Sequence, residues 1–157
     1  MPPETPPLLR VCALLNSEKA HYLVAGARAC ILHGMVRTTE DVDILIEPTE
    51  ENCRKVLAAL AKLEDGWAAQ LTPRDLLENV VVKIADEVEV DVSTHAWKIS
   101  YADAIGSACH TEISGVRVPF LGLDALIASK ETYREKDQAD LLLLRELKAR
   151  NRKSDLT

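Results

Sequence analysis

The chain has 157 residues, 47% of them hydrophobic and 28% charged, and its 25 Asp plus Glu against 19 Lys plus Arg give a formal net charge of −6. That length and composition suit one domain with a self-sufficient core and exclude wholesale disorder. The acidic balance excludes the global electrostatic footprint of a general nucleic-acid binder, although a local basic patch stays open.

In chain order, the Pro-rich start (Pro2, Pro3, Pro6, Pro7) predicts an extended lead-in, because proline fixes φ and removes a donor. No basic segment precedes an apolar stretch there, so no secretory signal is expected. Residues 8–15 carry a helical pattern. The stretch HYLVA (21–25) has the content of a short buried strand, Gly26 punctuates it, and residues 27–35 return to helical spacing. Val42, Ile44 and Ile46 then alternate with Asp41, Asp43 and Leu45, a strand pattern. Thr49 is placed to cap a helix running through 63, with Asn52 where a capping box would prefer Glu or Gln. Strands are predicted over 80–85 and 88–94, joined by a tight Asp86-Glu87 turn, so these two must be antiparallel. A helix near 101–108 follows, then a hairpin over 112–121 turning at Ser114-Gly115, then helices over about 123–134 and 138–150. The tail, 151–157, is polar and expected to fray. The expected architecture is α/β (α+β): a small mixed sheet with flanking helices and a C-terminal helical pair, read as one unit with a core over about 8–121 and closing helices over about 122–150.

The longest apolar runs, such as 141–144 and 80–82, fall far below the ~20 residues that span a bilayer, so no membrane role is expected. Cysteines at 12, 30, 53 and 109 form no CxxC pair and complete no zinc spacing with His21, His33, His95 or His110. Reduced thiols in a cytoplasmic protein are the reading that follows.

Chemistry concentrates at Asp41-Val42-Asp43. On a strand, residues two apart share a face at roughly 6.6 Å, so both carboxylates point together while Val42 and Ile44 point to a core. Like charges that close disfavour one another, and a site that keeps both ionised needs a cation; all-oxygen ligands suit Mg²⁺. Asp91, central in the alternating VEVDV strand, is the candidate third carboxylate, and Glu89 on the same face is its alternative. The plain reading of these acids is one solvated strand face. The strand–Gly26-Ala27–helix junction lets backbone N–H groups approach a phosphate, or is simply a turn. Lys130 falls on the apolar stripe of Leu123, Leu126 and Ile127, where a lysine either snorkels to the edge or pairs with charge. Asp137 and Asp140 open the last helix, where carboxylates also stabilise the dipole. Arg37 and Thr39 flank the acidic strand, as a salt bridge and hydroxyl cap or as phosphate contacts. His33 and His95 read as packed or solvated residues, and Trp67, Trp97 and Tyr101 are too scattered to form a stacking platform. Arg145, Lys148, Arg150, Arg152 and Lys153 make a basic end, favourable at a helix C-terminus and available to RNA.

Ala25-Gly26-Ala27, thirteen residues, then Asp41-Val42-Asp43-Ile44 resembles the signature of the nucleotidyltransferase superfamily with the DNA polymerase beta fold. Gly34, Arg37, Thr38 and Thr39 before the acids, and Leu126-Ile127…Lys130…Lys136-Asp137…Asp140-Leu141 near the end, are similar to its small AbiEii-toxin-like branch. The resemblance touches landmarks from about residue 21 to 147. It implies an enzyme that moves a nucleoside monophosphate from an NTP to an acceptor hydroxyl and releases pyrophosphate. Asp41, Asp43 and Asp91 would hold two Mg²⁺ ions; Gly26, Ala27, Arg28, Arg37, Thr39 and Lys130 would bind the nucleotide; Asp137 and Asp140 would face the acceptor or support Lys130. Ala27 departs from the usual Gly or Ser and removes a hydroxyl from the phosphate cradle, a loss that the charge of Arg28 can offset. The implied acceptor is an RNA such as tRNA, a protein or a small molecule. The competing expectation is a non-catalytic module of the same fold that acts as a toxin–antitoxin or regulatory partner of another protein.

Overall fold

The strand that carries Asp43 lies inside the sheet, between two others. The structure, a computed structural model, describes residues 5–155; Pro2 and Pro3 of the lead-in and the last two tail residues lie outside that range. Strand β2 (Val42–Ile46) has apolar residues pointing to both faces, and four of its five residues are buried. Such a strand is stable only with layers on both sides. Val42, Ile44 and Ile46 enter one core, with helices α1 (Pro7–Ser17) and α3 (Glu50–Leu60) over it; Leu45 enters a second core on the opposite face. There Ala29 and Cys30 of α2 (Gly26–Leu32), Tyr101 and Ala104 of α5 (Tyr101–Ala104), Leu126 of α6 (Leu123–Ser129) and Leu144 of α7 (Glu135–Asp155) meet.

Around β2 the sheet has six strands in the order β3-β4-β2-β1-β8-β7. Strand β1 (Tyr22–Ala25) runs antiparallel to β2 on one side and β4 (Glu89–Ser93) parallel on the other; β3 (Val81–Ala85) returns antiparallel to β4. Strand β8 (Val116–Phe120) lies parallel to β1, and β7 (Cys109–Ile113) closes the edge antiparallel to β8. The mixed sheet and flanking helices agree with the architecture read from the sequence. A separate two-stranded hairpin of β5 (His95–Ala96) and β6 (Ile99–Ser100) stands beside it.

Several local expectations change. Pro6 is the residue capping α1 and Pro7 its first helical residue, where a fixed φ and a missing N–H cost nothing, so the proline run enters a helix. The helix expected over 27–35 begins at Gly26 and ends at Leu32, before Gly34 with φ +104°. The helix after Thr49 stops at Leu60, short of 63. The expected 101–108 helix is one α-helical turn followed by a 3₁₀ turn, Ile105–Ser107. A 3₁₀ turn, Trp67–Gln70, and a short helix α4 (Pro73–Leu77), started by a reciprocal Thr72–Asp75 capping box, fill a stretch with no predicted element. The 123–134 helix ends at Ser129. Helix α7 begins at Glu135 and runs through residues 151–155 of the tail, a stretch with no Gly or Pro to stop it. Among the described residues, no helix is long and apolar enough to cross a membrane.

Asn52 explains why a poor capping box serves. Thr49 Oγ1 accepts from the Asn52 N–H at 3.1 Å, but the Asn52 side chain, 3% exposed, turns to the sheet. It accepts from the His21 N–H at 2.7 Å and donates to the carbonyls of His21 and Glu47 at 2.9 Å each, tying the start of β1 to the end of β2. A Glu there could not donate. Asn52→Leu leaves the His21 N–H without its acceptor and takes one donor from each of two carbonyls, which keep the Glu47 and Thr49 N–H groups, and urea unfolding is expected to show a loss of about 1–3 kcal/mol. Thr49→Ala, which removes only the cap, is expected to cost about 1 kcal/mol.

Candidate functional site

The candidate site is built by register. Ala25 pairs with Asp43, Asp43 with Asp91, and Asp91 with Lys83, so one line of side chains crosses β1, β2, β4 and β3 at a single level on the same face. Residues directly opposite one another in a sheet are about 4.5–5.5 Å apart, which sets two carboxylates, Asp43 and Asp91, against each other. Asp41 lies two residues before Asp43 on the same face, at the mouth of this line.

The strand-to-helix turn fits around Asp43. Gly26 has φ +60°, and a Cβ built on it would lie 2.0 Å from Asp43 Oδ2. Glycine is therefore required twice, by the left-handed backbone and by the close approach of the carboxylate. Burial first, then the hydrogen bond and charge of Asp91 and the charge of Asp41, push the Asp43 carboxyl up to about 6, against the opposing pull of Lys130. The outer acids behave differently. Glu89 is exposed and stands against Asp41, whose hydrogen bond raises it. Lys83 Nζ lies 3.8 Å from Asp91 Oδ1 and 4.0 Å from Glu89 Oε2, so a lysine already stands among the acids. Asp91 Oδ1 is nevertheless buried without a hydrogen-bond partner.

On the other wall sits a buried charge network from the joint between α6 and α7. Lys130, the residue that ends α6, places Nζ 3.1 Å from Asp140 Oδ2 and 3.4 Å from Asp137 Oδ1. Arg37 Nη1 meets Asp140 Oδ2 at 2.7 Å, and Asp137 Oδ2 accepts from Thr132 Oγ1 at 2.5 Å and Arg134 Nε at 2.8 Å. Burial alone would raise Asp137, but those two hydrogen bonds and the charges of Lys130 and Arg134 outweigh it and hold the carboxyl below its ordinary value. Asp137 and Asp140 thus do more than complement a helix dipole: they hold three cations, Lys130, Arg37 and Arg134, at the site. The same bonds bend the chain at 130–134, which is why α6 stops where periodicity alone would continue it.

A cavity of about 420 Å³ lies between the two walls, lined by Asp41, Asp43 and Asp91 on one side and by Arg37, Lys130 and Asp137 on the other. Ala27 and Thr39 also line it. Arg28 does not: its Nε donates to the Asp41 carbonyl at 3.1 Å and its Nη2 to that of Glu40 at 3.3 Å, so it braces the approach to β2, as Thr39 Oγ1 does at 3.4 Å. Gly26 lines a second cavity of about 190 Å³ that shares Asp43, Lys130, Arg134 and Asp137 with the first. His33 is packed, donating from Nε2 to the Leu121 carbonyl at 2.8 Å and lying edge-on to Phe120. Sequence reasoning passed over Lys83 and Arg134 and quoted Lys136 only within the family pattern. Lys83 is found from strand register, and Arg134, which lines the larger cavity with Lys136, closes a stretch that reads as helix.

Whether these residues suit a divalent cation is a matter of donor chemistry. Among the described residues no group of three or more His, Cys, Asp or Glu stands ready as a metal cage. The donors present are hard carboxylate oxygens, one of them buried and unpartnered, and Mg²⁺ is ordinarily held by one or two carboxylates together with substrate phosphates. The set fits such an ion when phosphate comes with it.

No family model and no curated protein matches the chain. Two solved structures share its fold. An antigenic nucleotidyltransferase-like protein from Paracoccidioides brasiliensis superimposes with a TM-score of 0.53 at 18% identity, over 89% of this chain and 74% of that one. A candidate nucleotidyltransferase from Thermotoga maritima gives 0.52 at 18% identity, over 94% and 88%. The chain therefore has a nucleotidyltransferase-like fold.

Two outcomes test the geometry of the acids. Asp43 keeps its proton to about pH 6 when folded but releases it near 3.8 when unfolded, so the folded state binds more protons between those values. The contribution of Asp43 to stability then falls as pH rises from about 4 to about 6 and levels off above, which the comparison with Asp43→Asn isolates from the carboxyls held low elsewhere. In metal-free buffer, urea unfolding of Asp43→Asn, which cannot ionise, is expected to gain on the order of 2–3 kcal/mol relative to wild type between pH 4 and pH 7.5; equal differences at both pH values would refute the raised carboxyl. Gly26→Ala is expected to cost at least about 1–2 kcal/mol from the left-handed backbone alone. The clash adds to that, so Gly26→Ala/Asp43→Ala should lose less than the sum of its single changes, by more than about 0.5 kcal/mol.

Proposed function

We propose that this chain is a Mg²⁺-dependent nucleotidyltransferase that transfers a nucleoside monophosphate from an NTP to the hydroxyl of an acceptor and releases pyrophosphate. The observation that carries this reading is the Asp43–Asp91 register pair, closed over by a glycine turn and facing a buried lysine across a cavity, in a fold like that of nucleotidyltransferases. Asp41, Asp43 and Asp91 are the residues that would hold the metal, two ions by the family pattern. When bound, Mg²⁺ neutralises phosphate charge and stabilises the attacking and leaving oxygens of an in-line displacement.

The protein's own groups do the rest. Gly26 and Ala27 let the main chain approach the phosphates. Lys130, Arg37 and Arg134, held by Asp137 and Asp140, meet the triphosphate with charge that needs no reorganisation at the moment of reaction. The acceptor oxygen bonds to the α-phosphorus, the α–β bridging P–O bond breaks, and the hydroxyl proton passes to the free Oδ1 of Asp91 as pyrophosphate leaves. Glu89, exposed and turned to Asp41, is less well placed for that role. Residues 8–121 serve as the catalytic core, with Arg37, and 122–150 as the helical pair that supplies Lys130 and Arg134. Within the superfamily, the Gly34…Thr39 and Lys130…Asp140 patterns favour the small AbiEii-toxin-like branch, with an RNA, a protein or a small molecule as acceptor. An NTP-consuming enzyme whose cysteines are unpaired belongs in the cytoplasm.

Incubation with α-labelled NTP, total RNA and Mg²⁺ is expected to label an acceptor, γ-label is expected to appear in pyrophosphate, and Asp41→Asn/Asp43→Asn is expected to do neither. In parallel, a nucleotide at 100 times its Kd should stabilise the wild type by roughly 2.7 kcal/mol only with Mg²⁺, and not the double variant. Stabilisation without transfer to RNA, protein or small-molecule acceptors would favour a nucleotide-binding partner module. No stabilisation by any NTP at millimolar concentration would sink the reading.

A further inference from the structure

The chain is poor in aromatic residues, with one Phe, three Tyr and two Trp. Two of these six stand together at the mouth of the smaller cavity. Trp97, which lines that cavity, is 45% exposed, and Tyr133 is 90% exposed. Their rings pack edge to face with centroids 6.2 Å apart. Single exposed apolar residues are ordinary on a protein surface. A pair delivered from two separate elements to one cavity mouth is not explained that way.

Trp97 also occupies a backbone position that opposes it. It is the first of two residues, Trp97-Lys98, joining β5 to β6, and its φ is +59°. The first position of a two-residue hairpin turn with positive φ is where glycine is usual, and a bulky residue there is an outlier. Strain of this kind persists only where the surroundings over-determine it, and it clusters at ligand-binding sites. The surroundings are firm. Ala96 and Ile99 on either side of the turn pack against the second core, so the tip cannot swing freely. The main chain around Tyr133 is tied from the other side, because Thr132 Oγ1 donates to Asp137 and accepts from the Arg134 N–H at 3.2 Å.

The two cavities have different chemistry on either side of a shared wall of Asp43 and Lys130. The larger is lined mainly by carboxylates and cations; the smaller shares Asp43, Lys130, Arg134 and Asp137 with it and adds Ala25, Gly26, Ser93, Ala96, Ser129 and the indole. A ligand that spans both meets a wall of charge at one end and an indole among small side chains at the other. We propose that Trp97 is the stacking surface for the planar base of the nucleotide, that Tyr133 positions its ring, and that the phosphates lie across Lys130 towards Asp41 and Asp43. This rests on the nucleotidyltransferase reading and adds the orientation of the substrate. A ring face accepts any base, so the platform selects for a base without selecting which one.

The test compares Mg²⁺-tripolyphosphate with Mg²⁺-ATP, GTP, CTP and UTP on the full chain carrying Trp67→Phe, where Trp97 is the sole tryptophan. Every nucleotide is expected to quench Trp97 emission and to bind about 10- to 100-fold more tightly than tripolyphosphate, the range of a base–aromatic stack. Trp97→Gly suits the backbone and should melt within a few degrees of wild type. It is expected to bring nucleotide affinity down to that of tripolyphosphate, whose own binding stays unchanged; Trp97→Phe should restore part of the difference. Tyr133→Ala alters a nearly fully exposed side chain and should weaken nucleotide binding by a smaller factor, with less quenching per nucleotide bound. If tripolyphosphate binds but nucleotides bind no better, or if Trp97→Gly binds them as wild type does, the platform is refuted while the phosphate site stands. If neither probe stabilises the protein, the phosphate site fails and the platform with it.

Discussion

Two carboxylates on adjacent central strands, at one level and on one face, are the constraint around which this structure is arranged. Asp43 and Asp91 repel one another, and burial takes away the water that would screen them. The structure answers in four ways. Asp43 keeps its proton well above the ordinary range, Lys83 approaches Asp91 from the next strand, Lys130 faces Asp43 from the C-terminal helices, and the turn before α2 gives up a side chain at Gly26 so that Asp43 has room. Each answer comes from a different part of the chain. None of the charge compensation serves folding for its own sake, since apolar residues at both positions would remove the need for it.

The second wall follows from the first. A lysine 9% exposed must be paired, because an isolated buried ammonium is too costly to keep. Asp137 and Asp140 pair it; the second oxygen of Asp137 is taken by Thr132 and Arg134, and Arg37 shares Asp140 Oδ2 with the lysine. Such a network is seldom a net source of stability, but removing one member leaves an uncompensated buried charge. It joins α7 through Asp140 to Arg37 in the loop before β2 and through Asp137 to the bend after α6. The closing helices are thereby locked to the strand that carries the acids.

What the sequence reveals follows the range of the forces involved. The acids of β2 and β4 are legible because a strand alternates with period two and its solvent face announces itself; the turn at Gly26 and the cap at Thr49 are local and equally legible. Lys83 is not, because only strand pairing puts it beside Asp91. The end of α6 is not, because the apolar stripe through Leu126 and Ile127 continues to Lys130 and nothing local signals that Asp137 will take Thr132 and Arg134. Arg28 misleads for a related reason: a cation beside a phosphate-binding turn suggests a ligand, yet two main-chain carbonyls lie nearer. Trp97 and Tyr133 are 36 residues apart, which is why scattered aromatics fail to suggest a platform until the hairpin and the α6–α7 bend bring them together.

The charges lining the larger cavity bear on why metal and nucleotide should bind together. Its lining holds four carboxylates, Asp41, Asp43, Asp91 and Asp137, and four cations, Arg37, Lys130, Arg134 and Lys136. The cavity is formally neutral, but its charges are not evenly committed. Lys130 and Arg134 are engaged with Asp137, and Arg37 with Asp140, whereas Asp41, Asp43 and Asp91 face one another with Lys83 beside Asp91 and with Lys130 and Arg28 acting on them by charge alone. A triphosphate entering alone would meet cations already in use on one side and mutually repelling carboxylates on the other. A divalent ion entering alone would find too few oxygens gathered to replace its water, for Mg²⁺ gives up its hydration reluctantly. Together each supplies what the other lacks: the ion offsets the carboxylates, and the phosphates complete the oxygen set. On the proposed function, the protein would need no closed metal cage, and substrate and ion arriving as a pair would offset what remains of the cost of holding three carboxylates close.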